Sequence, residues 1–142
     1  MALNEIFEDT IEKVEVALTF SGFDCPPEEI TSILGIQPDQ LRTKGEILTL
    51  AGDREFRAPE SLWALNSRES SKDLNVQVRD ILGRLAGLEK VIEPAWNPAF
   101  NVFWKSTILG AGAGPYFERD VIEGIARIGA EVWQDLWLAE EG

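Results

Sequence analysis

The sequence predicts an α+β fold, a two-layer sandwich in which helices cover one face of a mostly antiparallel sheet. Several segments alternate apolar and polar residues with period two, which is typical of half-buried strands. Three segments between them carry apolar residues at helical spacing, and glycine or proline stands at most boundaries. Because such elements alternate along only 142 residues, we expect one domain spanning residues 1–142.

The clearest strand signal covers residues 14–20, and a helix is expected directly after it. Apolar residues of the strand alternate with small or polar ones, and Gly22 ends it. Prolines 26 and 27 with two following glutamates are typical of a first helical turn. The expected buried stripe of this helix, which Gly35 ends, is Ile30, Ile33 and Leu34. Residues 1–13 form an N-terminal extension, for which a short helix and a frayed terminus both remain open.

The next segments predict further strands and a long helix. Residues 41–45 are expected to form a short strand, residues 47–59 an irregular hairpin around Gly52, and residues 62–65 another strand. Ser70 and Asp73 form a capping pair for a helix whose apolar stripe is Leu74, Val78, Ile81, Leu82, Leu85 and Leu88. Gly83 and Gly87 within it indicate a close approach to the sheet or a kink.

The last third adds a strand, a helix and a strand. Residues 100–108 alternate as a strand, and Gly129 ends a helix whose stripe is Val121, Ile122, Ile125 and Ile128. Residues 132–138 form the final strand. This order favours a ferredoxin-like arrangement whose second sheet face is open to water or to a partner.

Composition argues against an enzyme. The chain has no histidine and one cysteine, Cys25, which removes the usual proton shuttle, the commonest metal ligand and most covalent nucleophiles. Cys25 stands at a helix start, which favours a lowered thiol pKa, but it has no histidine base, so an incidental cysteine is the preferred interpretation. We therefore expect no catalytic residue and no metal site.

A glycine-rich segment, residues 110–114, lies 21 residues before Asp135 and superficially resembles a dinucleotide-binding loop. Its spacing departs from that motif, and Pro115, Tyr116 and Phe117 intervene before the helix. A flexible connector is the preferred interpretation, and no cofactor is expected.

The net charge of −12 is concentrated at the two ends of the chain. Residues 1–29 contain eight acidic residues and one lysine, and residues 131–142 contain four acidic residues and no basic one. Nucleic acid is disfavoured as a partner because phosphate binding needs clustered lysine and arginine. An apolar run long enough to span a bilayer and a signal peptide are both absent from the sequence, so we expect no membrane partner and a cytoplasmic location.

The last strand presents the candidate binding residues. Trp133, Asp135 and Trp137 share one face of it by period two. The opposite set, Val132, Leu136 and Leu138, is interpreted as core. Three further residues, Trp63, Arg42 and Lys44, are placed on neighbouring strands of the same open face. Aromatic residues and arginine are common anchors of protein interfaces. Burial of these tryptophans beneath loops or residues 46–60 is the competing interpretation.

Several segments, taken in order, resemble a known family. They are residues 18–22, residues 27–38, residues 42–45, residues 61–63 and residues 125–135. Together they resemble a bacterial family known as domain of unknown function 4279, over roughly residues 14–138. The resemblance implies the fold and a bacterial setting, and it implies no catalytic residue.

Two functions of different class follow as expectations. The first is a non-enzymatic binding protein, of immunity or adaptor type, that engages a basic protein partner through an acidic and aromatic surface. The alternative is a small-molecule-binding domain that holds a ligand between the open sheet face and residues 46–60. An enzyme that uses carboxylates, lysine, Tyr116 or Cys25 is the least favoured reading. The oligomeric state is left open.

Overall fold

A computed structural model describes residues 11–50, 52–106 and 116–138 of the chain. The strands are β1 (Ile11–Ser21), β2 (Gln40–Arg42), β3 (Ile47–Leu50), β4 (Arg54–Arg57), β5 (Leu62–Asn66), β6 (Ala99–Ser106) and β7 (Glu131–Leu138). The α-helices are α1 (Pro27–Leu34), α2 (Leu74–Arg84) and α3 (Arg119–Ile128). Two 3₁₀ turns, Glu89–Val91 and Pro94–Trp96, connect α2 to β6. None of the described helices is long and apolar enough to cross a membrane.

The main sheet has five strands in the order β2-β5-β1-β6-β7. β1 lies antiparallel to both β5 and β6, and β2 lies antiparallel to β5. The units β1-α1-β2 and β5-α2-β6 therefore each join parallel strands across one intervening strand, which is the ferredoxin-like topology. The predicted α+β fold is confirmed. Helix α3 and strand β7 extend this topology, and β7 runs parallel to β6.

All three helices cover one face of the sheet. In β1 the buried residues alternate with half-buried or exposed ones, as the sequence predicted. These residues form one core cluster with buried side chains of the helices; its members include Val14, Val16, Leu18, Phe20, Ile30, Leu34, Val78, Ile81, Leu85, Val121, Ile125 and Ile128. Burying side chains of this size contributes about 1.5–3 kcal/mol each before entropy is counted.

The two predicted glycine stops are confirmed, but two helix residues that were predicted to be buried are exposed. Gly35 and Gly129 end α1 and α3 in the left-handed conformation. Ile33 and Ile122 are 43% and 52% exposed. Each is the immediate sequence neighbour of a buried residue. Because consecutive residues are rotated by about 100° around the helix axis, these two side chains point away from the sheet.

Helix α2 begins later than predicted. Its N-cap is Asp73, whose Oδ1 accepts a hydrogen bond from the Asn75 N–H at 2.9 Å, so Ser70 is not the cap. Of the two alternatives for Gly83 and Gly87, the close approach to the sheet is wrong, because a Cβ added at either position would meet nothing within 4 Å. The helices approach instead at Gly124 of α3, where a Cβ would lie 2.5 Å from Leu82 Cδ1 of α2.

Polar contacts between α2 and the residues around the start of α3 fix the position of α3. Strand β7 comes next in the chain, so the same contacts help to position it. The Asn75 amide donates to the Tyr116 carbonyl at 2.9 Å and accepts from the Glu118 N–H at 2.8 Å. Arg79 donates two hydrogen bonds to Asp120, at 2.9 and 2.8 Å, and they hold the pKa of that carboxyl below its usual value.

Strands β3 and β4 form the predicted hairpin as a separate two-stranded sheet. Gly52 and Asp53 have positive φ angles of 85° and 61° at its tip, as tight hairpin turns require. The first strand, by contrast, begins at Ile11 rather than Val14, with a register shift between Ile11 and Lys13. The rest of the N-terminal extension and the loop 110–114 lie outside the described residues.

Candidate functional site

The face of the sheet opposite the helices carries the candidate site. Residues directly opposite each other on neighbouring strands share a face, so pairing assigns every side chain. Asn101 pairs with Trp133, Phe103 with Asp135 and Lys105 with Trp137. Glu15 of β1, which faces away from the core, pairs with Phe103. Trp133, Asp135 and Trp137 therefore lie on the open face, as the sequence predicted.

We call Phe103, Trp133, Asp135 and Trp137 the β7 patch. Trp133 is 61% exposed and Trp137 is 57% exposed. The rings of Phe103 and Trp137 have centroids 6.2 Å apart at an interplanar angle of 46°, an ordinary tilted aromatic pair. Trp133 Nε1 donates to Glu131 Oε2 at 3.2 Å. The patch thus presents two large, oriented indoles on either side of a carboxylate.

Three members of the patch line a groove of about 900 Å³ on the open face. Its floor includes the small residues Ala17 and Asn101, and its wall on the β7 side is formed by Phe103, Trp133 and Asp135. Residues of the loop after β5 close one end: Ser67, Glu69, Ser70 and Lys72. The volume is in the range of small-molecule sites, and the open sides also admit an extended peptide.

Gln77 of α2 completes the sheet at the end of this groove, where β5 stops. Its Oε1 accepts from the Val16 N–H at 3.0 Å, and its Nε2 donates to the Val14 carbonyl at 2.6 Å and the Ser71 carbonyl at 2.7 Å. The side chain is 2% exposed. A side-chain amide thus takes the place of a neighbouring strand, and the buried backbone groups of β1 remain paired.

Ion pairs leave the β7 patch acidic. Lys13 pairs with Glu15 at 2.9 Å, and Lys105 pairs with Glu12 at 3.7 Å. Among the ion pairs between described residues, none includes Asp135. Lys13 and Lys105 are therefore each paired with a glutamate, and the Asp135 carboxylate remains available to a cation.

The prediction that Trp63 shares the open face is wrong. Trp63 pairs with Phe20, a core residue of β1, so its side chain points towards the helices. It is 0% exposed, its ring stacks on Phe20 at a centroid distance of 5.3 Å, and its Nε1 donates to Thr31 Oγ1 at 2.9 Å. Trp63 anchors α1 to the sheet.

Arg42 and Lys44 do not join the patch. Arg42 pairs with Leu62, which pairs with Ser21 of the outward set of β1, so it does face the open side. It lies on β2, however, four strands from β7, or roughly 19 Å at the usual strand spacing. Lys44 is in the turn after β2, where its N–H donates to Ser61 Oγ at 3.0 Å.

The opposite face of β7 differs from the prediction as well. Val132 and Leu136 were expected in the core, and they do pair with the helix-side residues Phe100 and Trp104. They are nevertheless 39% and 38% exposed. β7 is the last strand in the sheet order, so its side chains are flanked by a strand on one side only. The Leu138 side chain lies outside the described residues.

Sequence reasoning missed Phe103, the loop 67–72 and Gln77. Phe103 was detectable, because it alternates with Phe100, Val102 and Trp104, which face the helices, and so belongs to the outward set. The loop and Gln77 gave no local signal. Their contribution depends on where β5 stops beside β1, which is a non-local property.

The surroundings of Cys25 and the arrangement of the acidic residues bear on the chemistry that the described residues offer. Partial burial, together with the negative charge of Glu29, raises the pKa of the Cys25 thiol, so the lowered pKa considered from the helix start is wrong. Among the described residues, no group of three or more Cys, Asp or Glu side chains is placed to hold a metal ion. The arrangement is suited to recognition by shape, apolar contact and negative charge.

Comparison with known proteins supports the family resemblance. A family profile described as "Domain of unknown function (DUF4279)" matches residues 12–139. Neither a curated protein nor a solved structure was found to match the chain.

Proposed function

This chain belongs to the DUF4279 family, whose description names no activity, and we propose from its surface that it is a non-enzymatic binding protein for a basic protein partner. The proposed role is of immunity or adaptor type, in the cytoplasm of a bacterium. The β7 patch is the proposed contact surface. Trp133, Asp135 and Trp137 are its proposed binding residues, and Arg42, Lys44 and Trp63 are no longer included.

The exposure of the two indoles is the observation that carries this proposal. Trp133 and Trp137 are 61% and 57% exposed on one strand face. Tryptophan is enriched among interface hot spots because it buries a large area with few rotamers. Contiguous exposed aromatic surface on a soluble domain is typical of an interaction site.

Charge supports a basic partner. The chain has a net charge of −12, and the C-terminal residues 131–142 contain four acidic residues and no basic one. Such a potential accelerates encounter with a cationic surface and repels acidic ones. Asp135, between the two indoles, is the residue that we expect to pair with a lysine or arginine of the partner.

The test is affinity capture from extracts of the source organism, followed by binding measurements with the recovered partner. Trp133→Ala or Trp137→Ala is expected to weaken binding by about 2 kcal/mol, or roughly 30-fold. Ile122→Ala, which removes a side chain that is 52% exposed on the helical layer, is the matched control and should bind like the unmodified protein.

The electrostatic component has its own readout. Asp135→Asn should weaken binding and flatten its salt dependence, because exposed charges are screened beyond about 8 Å at physiological ionic strength. Glu123→Gln, an exposed charge change on α3, is the control. Salt-insensitive binding would contradict the electrostatic component, and equal affinity of all five variants would contradict the proposed surface.

The groove gives a specific reason to retain small-molecule binding as a second candidate function. Its volume of about 900 Å³ and its aromatic wall suit an organic ligand. Its end is closed by the loop 67–72; residues of the hairpin β3–β4, which the sequence suggested as a cover, are not among its described lining residues. Titrating a metabolite panel against tryptophan fluorescence, with Trp133→Phe as the control, separates the two candidates.

A further inference from the structure

We propose that β7 accepts a cationic, extended segment of the partner as an additional antiparallel strand of the sheet. This inference rests on the proposed function and specifies how the same surface is used. In β-strand addition, main-chain hydrogen bonds supply affinity and alternating side chains supply specificity.

Within the described residues, the backbone of β7 is paired along one edge and open along the other. Among the described residues, β6 is the one strand that pairs with β7. The Glu131 N–H donates to the Pro98 carbonyl at 3.0 Å, and the parallel register continues without interruption from Ala99↔Glu131 to Ser106↔Leu138. In a strand, alternate residues direct their N–H and C=O to the same side. The odd-numbered residues therefore bond to β6, and Val132, Gln134 and Leu136 direct theirs away from the sheet.

β7 lacks several of the features that normally protect a sheet edge. Natural edge strands are blunted by lysine, proline, bulges or short length. β7 is eight residues long and regular, and its sequence contains neither proline nor lysine. Apolar side chains are exposed on both of its faces, with Val132 and Leu136 on one and Trp133 and Trp137 on the other. A strand added beside β7 would place its own side chains next to the exposed apolar side chains on both faces.

Charge decides between a second copy of this chain and a cationic partner. Both charged residues of β7, Glu131 and Asp135, are acidic. Pairing β7 with the β7 of another copy would bring these carboxylates onto one seam and join two chains of net charge −12. A segment carrying lysine or arginine instead neutralises Asp135, and the flanking indoles offer cation–π contacts.

The antiparallel pairing geometry determines which side chains of the partner segment contact the β7 patch. In an antiparallel pair, Val132, Gln134 and Leu136 would exchange hydrogen bonds with the residues opposite them. Trp133, Asp135 and Trp137 would occupy non-hydrogen-bonded positions, where opposite Cα atoms approach to about 4.5 Å and side chains meet most closely. A partner segment with basic residues at every second position therefore meets the three side chains that β7 contributes to the patch.

The test uses a synthetic peptide, acetyl-Val-Lys-Val-Lys-Val-Lys-Val-amide, and two N-methylated forms of it. In the antiparallel arrangement the valine N–H groups bond to β7 and the lysine N–H groups point away. N-methylation of the three valines opposite Val132, Gln134 and Leu136 should weaken binding to the full chain roughly 100-fold, since each of the three lost hydrogen bonds is worth about fivefold. N-methylation of the three lysines keeps charge and composition and should preserve binding.

Amide exchange on the protein gives an independent readout. In the free chain, the amides of Val132, Gln134 and Leu136 should exchange quickly, and those of Trp133, Asp135 and Trp137 slowly. Addition of the parent peptide should slow exchange of the first three. Concentration-dependent protection of those three amides without peptide would show that a second copy occupies β7, and would overturn the proposal.

The outcomes separate this inference from the proposed function. No binding of the parent peptide, equal binding of both methylated forms, or a greater loss for the lysine-methylated form would overturn antiparallel strand addition. If the peptide binds equally in all three forms but Trp133→Ala and Asp135→Asn weaken it, the β7 patch still acts through its side chains. If captured partners ignore those two substitutions, the proposed function itself fails.

Discussion

Replacing Gln77 tests the unusual junction between α2 and β1. Gln77→Ala leaves the Val16 N–H and the Val14 carbonyl unpaired in buried surroundings, and the Ser71 carbonyl unpaired in partly buried ones. Unpaired buried polar groups cost about 1–3 kcal/mol each. We therefore expect the free energy of unfolding to fall by about 3–4 kcal/mol, a large share of the roughly 5–15 kcal/mol typical of a domain.

Gln77→Glu is a sharper version of the same test, because it keeps size and the acceptor for Val16. The new oxygen would face the Val14 and Ser71 carbonyl oxygens, which lie 2.6 and 2.7 Å from the nitrogen it replaces. Only a protonated carboxyl can donate there, so its pKa in the folded state is expected to lie above the unfolded value of about 4.3. A raised folded-state pKa gives stability that is present below the unfolded pKa and is lost as pH rises through the folded one.

Urea unfolding of both variants and the unmodified protein between pH 4 and pH 7 measures how the stability deficit of each variant depends on pH. The deficit of Gln77→Glu, relative to the unmodified protein at each pH, should grow towards pH 7, whereas that of Gln77→Ala should stay nearly constant. A Gln77→Ala deficit below about 1 kcal/mol, or a pH-independent Gln77→Glu deficit, would refute the claim that this amide replaces a strand.

Three further predictions concern packing and reactivity. Trp63→Ala should cost about 4 kcal/mol in urea unfolding and Trp133→Ala less than about 0.5 kcal/mol; similar values would contradict their assigned faces. Gly124→Ala should lower the free energy of unfolding by about 1–2 kcal/mol. On a Leu82→Ala background the same substitution should be neutral or stabilising. A coupling energy of zero in this double-mutant cycle would mean that the helices do not meet there. Because its pKa is raised, the Cys25 thiol should react with an aromatic disulfide reagent more slowly at pH 8 in the native chain than in the urea-unfolded chain; a faster native reaction would contradict the burial described.

The sequence predicted most elements because their signals are local. Each of these signals depends on only a few neighbouring residues: the alternation around Leu18, the proline-glutamate helix start at Pro27, and the glycine stops at Gly35 and Gly129. The ferredoxin-like topology followed from their order. Helix residues at the margin of a stripe, such as Ile122, were misassigned because a stripe's width depends on what packs against it.

The candidate site was predicted only in part, and the two tryptophan-bearing strands show why. In β7, Trp133, Asp135 and Trp137 alternate with a different set, so they were correctly grouped on one face. Around Trp63 the sequence Leu-Trp-Ala-Leu is apolar throughout, so period two gives no indication of which side chains face the helices. The pairing of Trp63 with Phe20 decides this, and that pairing joins residues far apart in the chain.

By itself the sequence determined the fold class, the acidity and the shared face of Trp133, Asp135 and Trp137, because composition and periodicity are local properties. Only the tertiary structure decided that Trp63 is buried, that Arg42 lies at the far edge and that β7 is the last of the described strands, paired on one side by β6. Strand order and register are set by pairing between distant segments. A strand's own pattern is the same at the centre of a sheet as at its edge.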